Sequence, residues 1–369
     1  MNSQDSTPLF DPSKAEAFAE KLLLALNYGA LCLMTSIGHR TGLFDAMRQR
    51  PPAKAAEIAR AAGLDERYVV EWLGAMVTAG VMEVDPTSTL FRLPEEHAAF
   101  LTRASGADNI GTYTQYIGLL GTVEDDIIQC FRDGGGVPYE KFGRFHAVMA
   151  EDSGQSVLSC LESAILPLVH GLVDRLVQGI RVLDLGCGSG RILCRMAELF
   201  PASRFRGIDL SSEAIRAAQT TASEKGLFNV DFSARDLSDF DQTAEAESYD
   251  LVMTFDAIHD QARPLSVLKG IYRTLTADGI YLMQDIRGSS KVYNNLGHPL
   301  GTFLYSISTM HCMTVSLSQG GEGLGAMWGE EKARDYLARA GFGQVEVHQL
   351  PHDIQNNWYV MRKGKEMLP

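Results

Sequence analysis

The sequence is short of positive charge. Its 33 Lys and Arg stand against 46 Asp and Glu, for a formal net charge of −13. Nucleic acids and anionic membranes reward clusters of Lys and Arg, so neither is expected as a partner. Cysteine is sparse too. Cys32, Cys130, Cys160, Cys187, Cys194 and Cys312 are scattered, with no C-x-x-C pair. That spacing reads as reduced, mostly buried thiols rather than a disulfide framework or a zinc knuckle. There is no repeat and no low-complexity tract. The start, MNSQDSTPLFDPSK, puts acid and proline where a secretory signal has a basic and then an apolar stretch. The longest uncharged run, from Leu22 to just before Arg40, contains Asn27, Tyr28, Gly29, Thr35 and Ser36. It is slightly short for a membrane span and reads as a buried or interface helix. The expected location is the cytoplasm.

What is present is ordinary globular material, 45% hydrophobic and 21% charged. A chain of 369 residues has room for two or three domains. Residues 1–105 read as helices followed by a hairpin. A long apolar helix is expected over 14–37, then helices over 42–48, 53–62 and 66–79, the last capped by Asp65. Strands over 81–84 and 90–93, turned by Asp85-Pro86, complete a winged helix. A DNA-reading helix needs basic and amide side chains near its start. Here DERYVVEWLGAMVTAG offers Arg67 against three acids. Dimerisation through the N-terminal helices is the expectation, giving a homodimer; a DNA-binding regulator with a ligand-sensing second domain is the alternative. Residues 106–175 read as a helical linker and substrate lid. The glycines of RDGGGVPYEKFGRF (132–145) force a loop there, and residues 156–176 read as one amphipathic helix.

From Gly179 strands and helices alternate, which marks residues 176–369 as a third, α/β region. RVLDLGCGSGRILCRMAELFP (181–201) is an apolar strand, a glycine turn and an amphipathic helix. Gly186, Gly188 and Gly190 let the turn close tightly and let a ligand reach the backbone. Their G-x-G-x-G spacing differs from the G-x-G-x-x-G of dinucleotide sites, with Arg191 at the third-glycine place. FRGIDLS (205–211) ends in Asp209, where a ribose-binding carboxylate belongs. NVDFSARDLSDF (229–240) leads to Asp236, placed to take an amino group. YDLVMTFDAIHD (249–260) ends at His259, and GIYLMQDI (279–286) at Asp285. Two further strands, mutually antiparallel, close the chain over 343–363.

Strand, glycine turn, acid, acid and a reactive position after the fourth strand together resemble the class I S-adenosylmethionine-dependent methyltransferases. The resemblance covers about residues 176–365 and implies a seven-stranded Rossmann-like sheet, mostly parallel, with an antiparallel last strand. It also implies S-adenosylmethionine as cofactor. Asp184, Gly186, Gly188 and Gly190 would cradle its methionine and ribose, Asp209 its ribose hydroxyls and Asp236 its adenine, with Leu210, Leu237 and Phe255 beside them. With the winged N-terminal segment, the whole chain resembles the dimerising small-molecule O-methyltransferases. It is more similar still to a bacterial and mycobacterial two-domain group, in GLDERYV, EHAAFLTRA, GGGVPY, FDAIHDQARP and HCMTVSL.

In plant O-methyltransferases a His-Asp-Trp motif follows the fourth strand and its histidine removes the acceptor's proton. Here the triplet is His259-Asp260-Gln261, so the histidine carries over and the tryptophan does not. The resemblance makes His259 the general base and Asp285 its orienting acid, with Glu330 only near the place of a second acid. A strand-end histidine without chemistry and a metal ligand are the competing readings. Near it lie His311 and Cys312, but no i, i+3 or i, i+4 pair supports a tetrahedral site, and no metal is expected. The stretch 308–328 is rich in Met, Cys and Trp, which suits a pocket wall or a packed core equally. Tyr139, Asp260, His311, Met313 and Trp328 are the candidate contacts to a small-molecule acceptor, a hydroxyl or thiol; Tyr113 and Tyr116 are weaker ones.

Overall fold

The computed structural model describes residues 10–364. The chain forms two compact units. One takes the residues up to Ser105 with Asn109–Gly118, the other Gly106–Asp108 and everything from Leu119 onward.

The N-terminal unit opens with helix Pro12–Thr41. It starts earlier than the apolar pattern suggests because Asp11 accepts from the N–H groups of Ser13 (3.0 Å) and Lys14 (3.4 Å). Gly42, at φ 74°, ends it. Helices Leu43–Met47, Ala55–Ala62 and Glu66–Thr78 follow. Strands β1 (Glu83–Asp85) and β2 (Leu90–Arg92) pair antiparallel as the wing. Phe44, Ile58, Val69, Trp72, Leu73 and Met76 form the core. The Trp72 indole donates to the Met34 carbonyl at 2.8 Å. Gly38 is needed there, because a Cβ would lie 2.5 Å from the Trp72 ring. Helix Pro12–Thr41 is long and apolar enough to cross a membrane by length and composition. Its later turns bury Thr35, Ser36 and His39, while Phe18, Leu22, Leu23 and Leu26 are exposed. On helix Glu66–Thr78, Arg67 is paired with Glu71 at 2.5 Å.

The second unit holds one seven-stranded sheet: β3 (Arg181–Leu185), β4 (Arg204–Asp209), β5 (Val230–Ala234), β6 (Tyr249–Phe255), β7 (Leu275–Ile286), β8 (Val345–His348) and β9 (Asn356–Arg362), in the order β5-β4-β3-β6-β7-β9-β8. Strand β9, the last in the chain, runs antiparallel between β7 and β8. Alternate residues feed two cores, which is why the strands read as unbroken apolar runs. Val182, Leu251, Ile280 and Leu282 pack with helix Arg191–Leu199 on one face. Leu183, Val252, Tyr281 and Met283 pack with helices Pro264–Thr274 and Gly329–Ala340 on the other.

One expected element is corrected. Residues 156–176 are not a single helix but short turns, Leu158–Cys160, Leu161–Ile165 and Leu166–Leu168, before helix Leu172–Gln178. Pro167 cannot donate to a helical ladder, and Gly171 turns the chain at φ 75°. Strand order reverses at β3, which has β4 on one side and β6 on the other. Ligands of open α/β sheets bind beyond the strand ends at such a point.

Candidate active site

The glycine turn after β3 lies at that crevice. Gly186, Gly188 and Gly190 all have left-handed backbones, at φ 77°, 52° and 67°. Packing excludes a side chain at two of them. A Cβ on Gly186 would lie 2.5 Å from Ala257, and one on Gly190 2.5 Å from the Phe232 ring. Gly188 faces open space, where a ligand can approach the backbone. Asp209, at the end of β4, ties the turn in place: one oxygen accepts from Gly188 N and the other from Ser211 N, each at 2.8 Å. Asp184 is buried beneath the turn with Oδ1 unpartnered. Burial first, then the Asp209 charge, raises its pKa to about 8. An orphaned buried carboxyl beside an open backbone cradle fits a ligand that brings hydrogen-bond donors or positive charge. Leu210 is exposed and Leu237 buried. Asp236 is exposed, with Oδ1 accepting from Ser238 N at 2.8 Å. Phe255 packs on Trp358, ring centroids 5.8 Å apart.

His259 and Asp285 meet because β6 and β7 are neighbours. His259 Nδ1 donates to Asp285 Oδ1 at 2.8 Å, and both side chains are almost fully buried. The same oxygen accepts from the Trp328 indole N–H (2.9 Å) and from Ile286 N (2.8 Å). Three donors on one atom fix the carboxylate, and the carboxylate fixes the imidazole. Burial alone would push the His259 pKa down. The Asp285 charge, helped by Cys312, outweighs it and holds the pKa well above the usual histidine value. Asp260, next along, is raised to about 6, by burial against the favourable charge of His259.

Asp256, in the same stretch, was not singled out by the sequence. It offers an oxygen to a group with His259 and Asp285 in which the polar atoms lie within 4.8 Å of one another. Such a trio has the ligand types of a metal centre. It is one ligand short of a closed tetrahedron, and Asp285 Oδ1 is already engaged by three N–H groups. Glu330 is engaged elsewhere, accepting from Arg334 Nε (2.8 Å) and Asn357 Nδ2 (3.3 Å).

The other wall is aromatic. His311 sits in a π-helical turn, Ser308–Cys312, a local form frequent at functional sites. It is buried, with neither ring nitrogen partnered, and lies flat on Phe145 at 3.4 Å between centroids. Tyr139 and Phe142 meet it edge-on. Burial, with the charges of Asp260, Asp209 and Cys312 after it, raises the Tyr139 pKa. The loop before it is docked: Val137 N donates to Thr314 Oγ1 at 2.7 Å, and Gly136 leaves only 2.0 Å between a would-be Cβ and the Thr314 carbonyl. Met313 is half-buried. Trp328, read from the sequence as an acceptor contact, is buried against Asp285 and Tyr336. Tyr113 and Tyr116 fall in the N-terminal unit. Phe142, Phe145 and His146 were missed; their aromatic spacing around the glycine loop was the available signal.

Residues 29–103 match the family described as the Rv2258c-like winged HTH domain, and residues 176–341 the family described as a methyltransferase domain. A ubiquinone biosynthesis O-methyltransferase of Actinobacillus pleuropneumoniae is 31% identical over 118 residues, 31% of this chain and 49% of that protein. A malonyl-[acyl-carrier protein] O-methyltransferase of Bacillus cereus is 27% identical over 160 residues, 43% of this chain and 52% of that protein. The chain thus spans about half the length of these curated relatives. Human N-acetylserotonin methyltransferase, solved in complex with SAM, superposes with a TM-score of 0.67 at 20% identity, over 99% of this chain and 100% of that one. The chain therefore carries an Rv2258c-like winged helix-turn-helix domain ahead of a methyltransferase domain.

Proposed function

We propose that the protein transfers the methyl group of S-adenosylmethionine to the hydroxyl or thiol of a small molecule, with His259 as general base. The observation that carries this reading is the buried His259–Asp285 pair, 2.8 Å apart, at the same sheet edge as the open glycine turn. Bound at that turn, the cofactor supplies a methyl group already activated on a sulfonium. What the chain must add is alignment and a lone pair on the acceptor.

The residues divide that work. Gly186, Gly188 and Gly190, with Asp184 below them, hold the methionine and ribose parts. Asp209 keeps lone pairs for the ribose hydroxyls after accepting two backbone N–H groups. Asp236, Leu210 and Leu237 take the adenine, and Phe255 borders the site. Asp285 fixes the imidazole through Nδ1, leaving Nε2 to accept the acceptor's proton, and then stabilises the imidazolium. A cation brought into the crevice favours the neutral imidazole that a base requires. Tyr139, Asp260, His311 and Met313 border the acceptor, while Trp328 acts through Asp285. The region 106–175 contributes a lid through its docked glycine loop. The exposed row Phe18, Leu22, Leu23 and Leu26 supports a homodimer formed through the first helix, and we place the protein in the cytoplasm.

Calorimetric titration with S-adenosylmethionine and S-adenosylhomocysteine tests the cofactor half of this reading. Saturable binding of both, weakened by Asp209→Asn, is expected; absence of binding would contradict it.

A further inference from the structure

Arg191 stands where a dinucleotide turn carries its third glycine, and it opens helix Arg191–Leu199 directly after Gly190. A cation at that end faces the positive pole of the helix, which is unfavourable. The side chain reaches away to another helix. Its guanidinium donates to the carbonyl of Ala150, within helix Phe145–Ser156. In an α-helix that carbonyl is already bonded to the N–H four residues on, here that of Gly154. The absent side chain of Gly154 admits the second donor. A Cβ there would lie 2.9 Å from Arg191 Nη1 and 3.2 Å from Nη2. Gly154 lies inside the helix, so it supplies space rather than an unusual backbone.

The same helix carries the aromatic wall. Phe145, its first residue, lies flat on His311, at 3.4 Å between centroids and 8° between planes. His146 meets Tyr139 with ring centroids 4.8 Å apart, and Tyr139 stands edge-on to His311. One side chain thus joins the glycine turn to the helix that holds these rings. Arg195, one turn further along, makes a different link. Its Nη2 reaches Glu162 Oε1 at 2.6 Å, beyond the end of helix Phe145–Ser156.

We propose that Arg191 is a positioning residue that sets the aromatic wall of the acceptor site from the cofactor turn. This rests on the reading of the turn as the cofactor site and of His311 as a border of the acceptor. Cofactor seated on the open Gly188 backbone restrains the turn and the residue that starts the next helix. The guanidinium carries that restraint to Ala150, and helix Phe145–Ser156 carries it to Phe145 and His311. The wall is held tighter with cofactor bound than without it.

The test uses the full chain, with His311 followed by NMR of histidine-labelled protein and assigned with His311→Gln. Protons of an imidazole stacked on a phenyl face are shielded by its ring current, so their shift reports the stacking. S-adenosylhomocysteine is the probe, and its affinity is measured in parallel by calorimetry. In the wild type, saturation should move the His311 ring protons further upfield. Arg191→Met keeps the aliphatic stem and removes the donors. Gly154→Ala leaves Arg191 in place, raises helix propensity and pushes the guanidinium off the carbonyl. Both variants should lose the His311 response while S-adenosylhomocysteine affinity is unchanged. Arg191→Lys keeps a donor and should restore the response; Arg195→Met, which breaks the other link, should leave it intact. A wild-type His311 signal that ignores bound S-adenosylhomocysteine would overturn the proposal. A response that survives in either Arg191→Met or Gly154→Ala would also overturn it, leaving Arg191 a structural contact only. So would an equal loss in Arg195→Met. A fall in S-adenosylhomocysteine affinity in Arg191→Met would overturn it by making Arg191 a cofactor contact. Absence of binding by the wild type would remove the cofactor reading and this proposal together, whereas binding with a silent His311 removes this proposal alone.

Discussion

Replacing Asp285 by Asn removes the charge that dominates the centre while keeping its shape. The carboxylate oxygen lies 2.8 Å from His259 Nδ1 and receives two more N–H donors, from Trp328 and Ile286. Loss of an opposite charge at such a distance lowers a histidine titration by about one to three units. Burial, the largest influence and one that pushes the imidazole down, is then opposed by Cys312 without the Asp285 charge, so His259 should titrate well below its wild-type value. The sign for stability follows. In the wild type the folded-state pKa is raised, so the pair stabilises the fold fully below the unfolded histidine pKa. That contribution is lost as pH rises through the raised folded value. Asp285→Asn should abolish this pH-dependent component. Each of the three bonds also becomes neutral, with about half the strength of a charge-assisted one. The assay is NMR titration of histidine-labelled protein, assigned with His259→Gln, alongside urea denaturation from pH 5 to 9. A His259 titration unchanged in Asp285→Asn would refute the reasoning.

Three further outcomes are expected. Gly190→Ala forces a side chain onto φ 67° with its Cβ 2.5 Å from Phe232; it should cost about 2 kcal/mol or more, and S-adenosylhomocysteine affinity measured by calorimetry should fall with it. Trp328→Phe deletes the 2.9 Å bond to Asp285, worth about 1.5–3 kcal/mol for a charged partner, and should lower the denaturation midpoint and shift the His259 titration while leaving cofactor affinity intact. Leu22→Lys with Leu26→Lys, at positions 54% and 72% exposed, should convert a dimer to a monomer in sedimentation equilibrium, and an unchanged dimer would remove the first helix from the interface.

Much of this was legible because strand ends obey local rules. The glycine turn, Asp209, His259 and Asp285 each follow an apolar run, and a parallel sheet gathers such ends at one edge. The contact of His259 with Asp285 then needs only that β6 and β7 be neighbours. The rest depends on relations that no local pattern carries. Trp328 reaches Asp285 across 43 residues, and a tryptophan in a Met-rich stretch looks the same whether it lines a pocket or braces a carboxylate. Asp256 was in plain view within FDAIHDQARP, but its closeness to Asp285 comes from the pairing of β6 with β7, which brings together residues far apart in the sequence. The segment 156–176 has the apolar spacing of one helix, but Pro167 and Gly171 interrupt it.

The central claim is tested most directly by methyl transfer from labelled S-adenosylmethionine to a panel of phenolic, catecholic and thiol acceptors, comparing the wild type with His259→Ala. Labelled product is expected with the wild type and a fall of about 10²–10⁴-fold in the variant, with unchanged affinity for S-adenosylhomocysteine. A variant that binds the cofactor product normally and turns over at the wild-type rate would contradict it.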